Sequence, residues 1–199
     1  NYAPDHIILL PLYPQFSTTT TGSSFKDWTR AAKQAGLDKT PTSQVCCYPA
    51  QGEFVKAHAQ LIRGYYDTAA HHGHPRILFS AHGLPEKIVK AGDPYQWQVE
   101  MGTQAILASL GIEGIDYVNC YQSRVGPLKW IGPSTEAELR RAGADGVPVV
   151  LVPIAFVSEH SETLVELDIE YKHLAVEAGR RGEGDDLSGQ CGRGCAPGS

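Results

Sequence analysis

Two groups of residues in this 199-residue chain have the types and spacing to do chemistry. The first is His82, which follows the apolar run RILFSA (residues 76–81) and precedes Gly83. Such a run reads as a buried strand, and the carboxyl end of a strand is where α/β sheets place their ligands. An unperturbed imidazole titrates near pH 6.5, so a histidine there could take up or release a proton near neutral pH. The alternative is a structural histidine bonded to a backbone group. The second group is an acidic stripe: Glu159, Glu162, Glu166 and Glu170 are spaced 3, 4 and 4 apart. On a helix they share one face, and neighbouring like charges at that spacing cost roughly 0.2–0.5 kcal/mol per pair. The helix dipole favours acids in the first turn only, so it does not explain Glu166 or Glu170. A nearby cation would explain the whole stripe; a solvated acidic face, with Leu164, Val165, Leu167 and Ile169 packed behind it, is the alternative. Carboxylates and imidazole suit ferrous iron and other borderline divalent ions. His82, His160 and Glu162 therefore form a candidate shared metal site.

Weaker features surround these. The run TTTTGSS (residues 18–24) places hydroxyls ahead of a helix, where they either hold an anionic group or simply cap the helix. Tyr13, Phe16, Trp130 and Phe156 fall near expected strand ends, where aromatics either sandwich a flat ligand or fill core. His71, His72 and His74 cluster at a helix end, a position that suits imidazoles electrostatically. Cys191 and Cys195 supply two sulfurs, short of a zinc or iron–sulfur ligand set.

The elements that must position these residues alternate. Strands are expected at residues 6–11, 44–48, 76–81, 116–121 and 147–152. Helices are expected at 24–36, 52–72, 95–110, 134–142 and 159–178, with Gly36, Gly111 and Gly143 as stops. In the 52–72 helix, Phe54, Ala57, His58, Leu61, Ile62 and Tyr65 are read as one face. Strand–helix alternation is the pattern of βαβ units, and continuous apolar strands fit a sheet covered on both sides. The fold class is α/β, with a parallel Rossmann-like sheet in three αβα layers. Its ligand loops are expected at residues 13–22, 82–85, 122–130 and 156–160. Residues 180–199 are Gly-rich, polar and aperiodic, the composition of a disordered tail.

A net charge of -5 argues against a nucleic-acid partner. Five cysteines with no secretory signal fit a reducing compartment.

Four blocks carry a resemblance: LPLYPQFSTTTTGSS (10–24), ILFSAHGLPEKIVKAGDPYQWQVE (77–100), CYQSRVGPLKWIGPSTEAEL (120–139) and PIAFVSEHSETLVELDIEY (153–171). Together they resemble ferrochelatases, and the wording GLPEKI and YQSRVGPLKWIGP resembles the bacterial protoporphyrin type. The resemblance covers residues 1–179 as the C-terminal two-thirds of the family's fold. It implies an opening βα unit upstream and a final strand–helix region in place of the 180–199 tail.

The resemblance also implies roles. The activity would be insertion of ferrous iron, as substrate, into protoporphyrin IX to form protoheme. His82 matches the family's active-site histidine, and Glu162 its acidic partner across the pocket. His160, Glu159 and Glu166 match the polar line leading to that partner, as a proton or metal relay. Tyr13 and Trp130 match aromatics lining the porphyrin pocket. Thr18 stands where animal-type members carry a cluster cysteine, so no iron–sulfur cluster is expected. The expected location is cytoplasmic, with peripheral contact at the inner membrane. Two other readings are a truncated, non-catalytic tetrapyrrole-binding remnant and a chelatase for another tetrapyrrole such as sirohydrochlorin. The 13–16 and 122–130 blocks disfavour the latter.

Overall fold

The structure is a computed structural model that describes residues 3–124 and 126–157. The helix expected over 159–178 and the 180–199 tail lie outside the described residues.

The run RILFSAH becomes β3 (Arg76–His82), and residues 76–81 are buried. Its centre, Ile77–Phe79, is apolar because the strand has partners on both edges and helices on both faces. On one edge it pairs in parallel with β4 (Asp116–Gln122), and on the other with β5 (Val149–Pro153). The strand order is β4-β3-β5. A βαβ crossover is right-handed almost without exception, so connections that leave β3 in one direction and return in the other must lie on opposite faces. The packing agrees. Helices α2 (Gly52–Ala70) and α4 (Tyr95–Leu110) cover the face formed by Ile77, Phe79, Ala81, Val150 and Val152. Helix α5 (Thr135–Asp145) covers the other face, where Leu139 packs with Leu78, Cys120 and Leu151. At about 1.5–3 kcal/mol per fully buried aliphatic or aromatic side chain, β3 is the best-anchored strand, and His82 rides on its end.

The expected α/β class and αβα layering are found, with several corrections of detail. The strands fall into two sheets rather than one. Among the described residues, β1 (Ile7–Leu9) and β2 (Thr42–Gln44) pair in parallel only with each other. Pro11 and Pro14 follow β1 and have no N–H to extend its ladder. Helix α1 is Thr21–Gln34, three residues earlier at its start than the sequence suggests. Near its start the Ser23 Oγ donates back to the carbonyls of Thr19 and Thr20. In α2 the buried face is Val55, Ala59, Ile62 and Tyr66, while Ala57 and Leu61 are exposed. The stop of α5 is Gly146, which takes the left-handed conformation (φ 65°), not Gly143. A short helix, α3 (Glu86–Lys90), follows β3 and was not expected.

Candidate functional site

His82 is the last residue of β3, opposite Gln122 of β4, and is half-buried. Its Nδ1 lies 2.8 Å from the carbonyl of Gly83. A carbonyl only accepts, so this contact assigns the hydrogen to Nδ1 and makes Nε2 the basic ring nitrogen. The backbone bond of the structural alternative is present: it fixes the ring through one nitrogen and so orients the other. From behind, the Tyr95 hydroxyl donates to the His82 carbonyl at 3.1 Å. Burial raises the Tyr95 phenol far above its ordinary range, so it remains a donor.

Gly83 is required by a close approach. A Cβ there would lie 2.8 Å from the Gln122 carbonyl oxygen, 3.2 Å from Trp130 Cε3 and 3.3 Å from Arg124 Cγ. The Gly83 amide donates to that same Gln122 carbonyl at 2.8 Å. Two more backbone bonds, Ile131 to Leu84 at 3.0 Å and Glu86 to Lys129 at 2.9 Å, zip residues 84–86 against 129–131. The Glu86 carboxylate adds ion pairs to Lys90 (2.7 Å) and Lys129 (3.2 Å). Trp130 is thus laid against Gly83, beside His82. Its indole Nε1 and the Tyr121 hydroxyl are buried and have no hydrogen-bond partner among the described residues. Nearby, Ser123 has φ 58°. Backbone outliers of that kind collect at functional sites.

The loop carrying Tyr13 reaches the same end of the sheet. Tyr13 itself is 39% exposed. Gln15 is buried, and its Nε2 donates to the Ile154 carbonyl at 3.2 Å. The Phe16 amide donates to Gln98 Oε1 at 2.7 Å. The Ser17 hydroxyl (3.0 Å), the Thr18 amide (2.7 Å) and the Thr18 hydroxyl (2.7 Å) all donate to Asp93 Oδ2, while the Tyr95 amide donates to Oδ1 at 3.0 Å. Burial alone would raise the Asp93 carboxyl, but these bonds, led by those from Thr18, outweigh it and hold it below its ordinary value. The hydroxyl run therefore holds a carboxylate after all, one supplied by the chain itself. The N-cap residue Thr20 makes no side-chain cap bond, so simple capping is corrected. An open cleft of about 460 Å³ runs between Thr18 and the α3 residues Lys87 and Ile88, with Asp93 at its wall.

The Ile154 amide donates to the Ser80 carbonyl at 3.0 Å, so the chain leaves β5 at the same edge as His82. Phe156 is half-buried against the main core. Glu159, His160, Glu162 and Glu166 lie outside the described residues. His82, Trp130 and the Tyr13 loop are thus brought to one end of the sheet. The histidines at 71, 72 and 74 end α2 on the far side of the strand, ahead of Arg76.

Sequence reading missed Asp93, Gln15, Gln98 and Gln122. Asp93 had a usable signal, since it stands before Pro94 at the start of a helix. The three glutamines had none, because a buried amide leaves no periodic trace.

A parallel sheet with an oriented histidine at the carboxyl end of its middle strand, beside aromatic-bearing loops, defines an α/β protein of the Rossmann-like kind with a candidate site at that end. The ferrochelatase family matches residues 1–182, and the chain belongs to that family. It is 57% identical to the ferrochelatase of Caulobacter vibrioides over 178 residues, which are 89% of this chain and 50% of that relative. Against the ferrochelatase of Wolbachia pipientis wMel it is 58% identical over 173 residues, 87% of this chain and 55% of the relative. The ferrochelatase of Pelagibacter ubique is 52% identical over 176 residues, 88% of this chain and 50% of the relative. The chain spans about half the length of the curated relatives it matches.

Proposed function

We propose that this chain carries the histidine side of a chelatase site that inserts ferrous iron into protoporphyrin IX to form protoheme. The observation that carries the reading is His82, fixed through Nδ1 at the carboxyl edge of the middle strand, with Trp130 packed against the adjoining Gly83. Membership of the ferrochelatase family supports it.

The chemistry asks for such a group. A free-base porphyrin loses two pyrrole protons as the metal enters, so a base is needed near the ring centre. His82 Nε2 takes that role. Glu162 serves the opposite face as proton acceptor or metal ligand, with His160, Glu159 and Glu166 leading to it. Ferrous iron sheds water as it enters, and nitrogen and oxygen ligands replace that water. Tyr13 and Trp130 wall the flat macrocycle.

The chain carries no iron–sulfur cluster in this reading. Thr18, standing where animal-type members carry a cluster cysteine, supports this. Visible charge-transfer bands in anaerobically purified protein would contradict it. The reading places the protein in the cytoplasm. Contact with a membrane surface suits a largely apolar substrate and is supported by Leu10 (59% exposed) and Leu12 (57% exposed) beside Tyr13. No helix among the described residues is long and apolar enough to cross a membrane.

The test is a metalation assay with ferrous iron or zinc. His82→Ala should lower turnover at least 100-fold, the scale of a lost general base, while porphyrin fluorescence quenching on binding persists. Normal turnover in His82→Ala would remove the base from the scheme. Quenching by the unaltered protein without metalloporphyrin formation would favour the binding remnant.

A further inference from the structure

Cys46 and Cys47 are consecutive, with Cys46 exposed and Cys47 half-buried. The Cys47 thiol donates to the Cys46 sulfur across 3.2 Å. That distance is far beyond a disulfide bond of about 2.05 Å, so both sulfurs are thiols. The two thiols therefore point the same way, close enough for one ion to touch both. Oxidation to a disulfide is opposed by the backbone. Neighbouring Cα atoms lie about 3.8 Å apart across a trans peptide, below the roughly 4.4–6.8 Å that disulfides span.

The surroundings give the pair a fixed place. Gln98 Nε2 donates to Cys47 Sγ at 3.4 Å, while Gln98 Oε1 accepts from the Phe16 amide. One buried amide therefore bridges the thiol pair to the loop that carries Tyr13. The flanking residues are stitched to the same stretch: the Val45 amide donates to the Leu9 carbonyl, the Tyr48 amide to the Pro14 carbonyl and the Tyr48 hydroxyl to the Pro11 carbonyl.

We propose that Cys46 and Cys47 form a bidentate site for a soft, thiophilic centre such as trivalent arsenic or cadmium, and that its occupancy disturbs the Tyr13 loop through Gln98. Soft sulfur ligands select soft ions. With an aryl arsenoxide, the two S–H bonds and the As=O bond break, two As–S bonds form, and one water leaves; no oxidant or reductant is required. The ion binds across both thiols, so neither cysteine alone suffices. The site is independent of the chelatase reading, since binding can be scored without any turnover.

The experiment uses the full chain with Cys191 and Cys195 replaced by serine, treated with phenylarsine oxide and followed by intact mass. One adduct per chain is expected. Cys46→Ser and Cys47→Ser should each abolish it, whereas Cys120→Ser, which changes a buried sulfur, should keep it. Circular dichroism confirms that each variant is folded. Hydrogen exchange of the 13–18 amides should speed up on binding in the parent and stay unchanged in Cys46→Ser. An undiminished adduct in either single variant, or no adduct in the folded parent, would overturn the site. Unchanged exchange at 13–18 on binding would overturn the coupling.

Discussion

Replacing Asp93 with alanine should loosen the Tyr13 loop more than any single change within that loop. Asp93 accepts four hydrogen bonds from three residues on two segments. Bonds to a charged acceptor contribute about 1.5–3 kcal/mol each when their donors are buried. Two donors, the Ser17 hydroxyl and the Tyr95 amide, are buried, whereas Thr18 is exposed and can turn to water. Counting the first pair nearly in full and the Thr18 pair lightly, and allowing for non-additivity, Asp93→Ala should cost about 3 kcal/mol. Asp93→Asn keeps the shape but turns an amide N–H₂ toward one set of donors, so it should cost about half as much. Urea unfolding by circular dichroism gives the two midpoints. Acid should erase the difference in a defined direction. The folded-state pKa of Asp93 is depressed, so its stabilisation is complete above the unfolded carboxyl value near 3.9 and is lost as the pH falls through the folded value. Wild type and Asp93→Ala should therefore converge as the pH falls below the folded value. A cost below about 1 kcal/mol at pH 7, or a gap that stays constant into acid, would refute the clamp.

Two further changes probe the frame around His82. Gly83→Ala drives a methyl group into a backbone carbonyl at 2.8 Å and against the Trp130 ring. It should cost about 1–3 kcal/mol, as overpacking does, and weaken porphyrin quenching; a urea midpoint equal to wild type would show that the contact can relax. Arg76 is 8% exposed and pairs with Asp116 and Asp145, each at 2.7 Å. The carboxylates are partly exposed and can rehydrate, so Arg76→Met should cost about 2–3 kcal/mol, less than the breaking of a fully buried pair. Because it lies at the opposite end of β3, it should leave porphyrin affinity in the folded protein unchanged.

Legibility in the sequence followed physical locality. RILFSA announced itself because a strand buried on both faces carries a continuous apolar centre, here Ile77–Phe79, and its end placed His82 without further information. Gly111 marked the end of α4 for a similar reason, since it alone there takes the left-handed turn (φ 59°) at no steric cost. β1 and β2 were harder. HIILLP reads as core, yet Ile8 is 69% exposed, because only one neighbour, β2, pairs with this strand among the described residues. The α2 face was misjudged by one residue for a geometric reason: Phe54 and His58 pack on each other along the rim, ring centroids 4.3 Å apart and planes tilted by 53°, and stay half-buried. Asp93 joins residues 75 and 76 positions away, a link that neither periodicity nor local motif encodes. The acidic stripe from Glu159 stays a reading of spacing and resemblance.

The order β4-β3-β5 also sets a schedule for the nascent protein. Ser80 finds its partner in Ile154, 74 positions later. At a synthesis rate of roughly 5–20 residues per second, about 4–15 s separate the two on the ribosome. Throughout that interval one edge of Ile77–Leu78–Phe79 stands open, with its amides and carbonyls unpaired. The ledge that carries His82 is finished late, and until then the middle strand keeps an open edge of the kind chaperones shield.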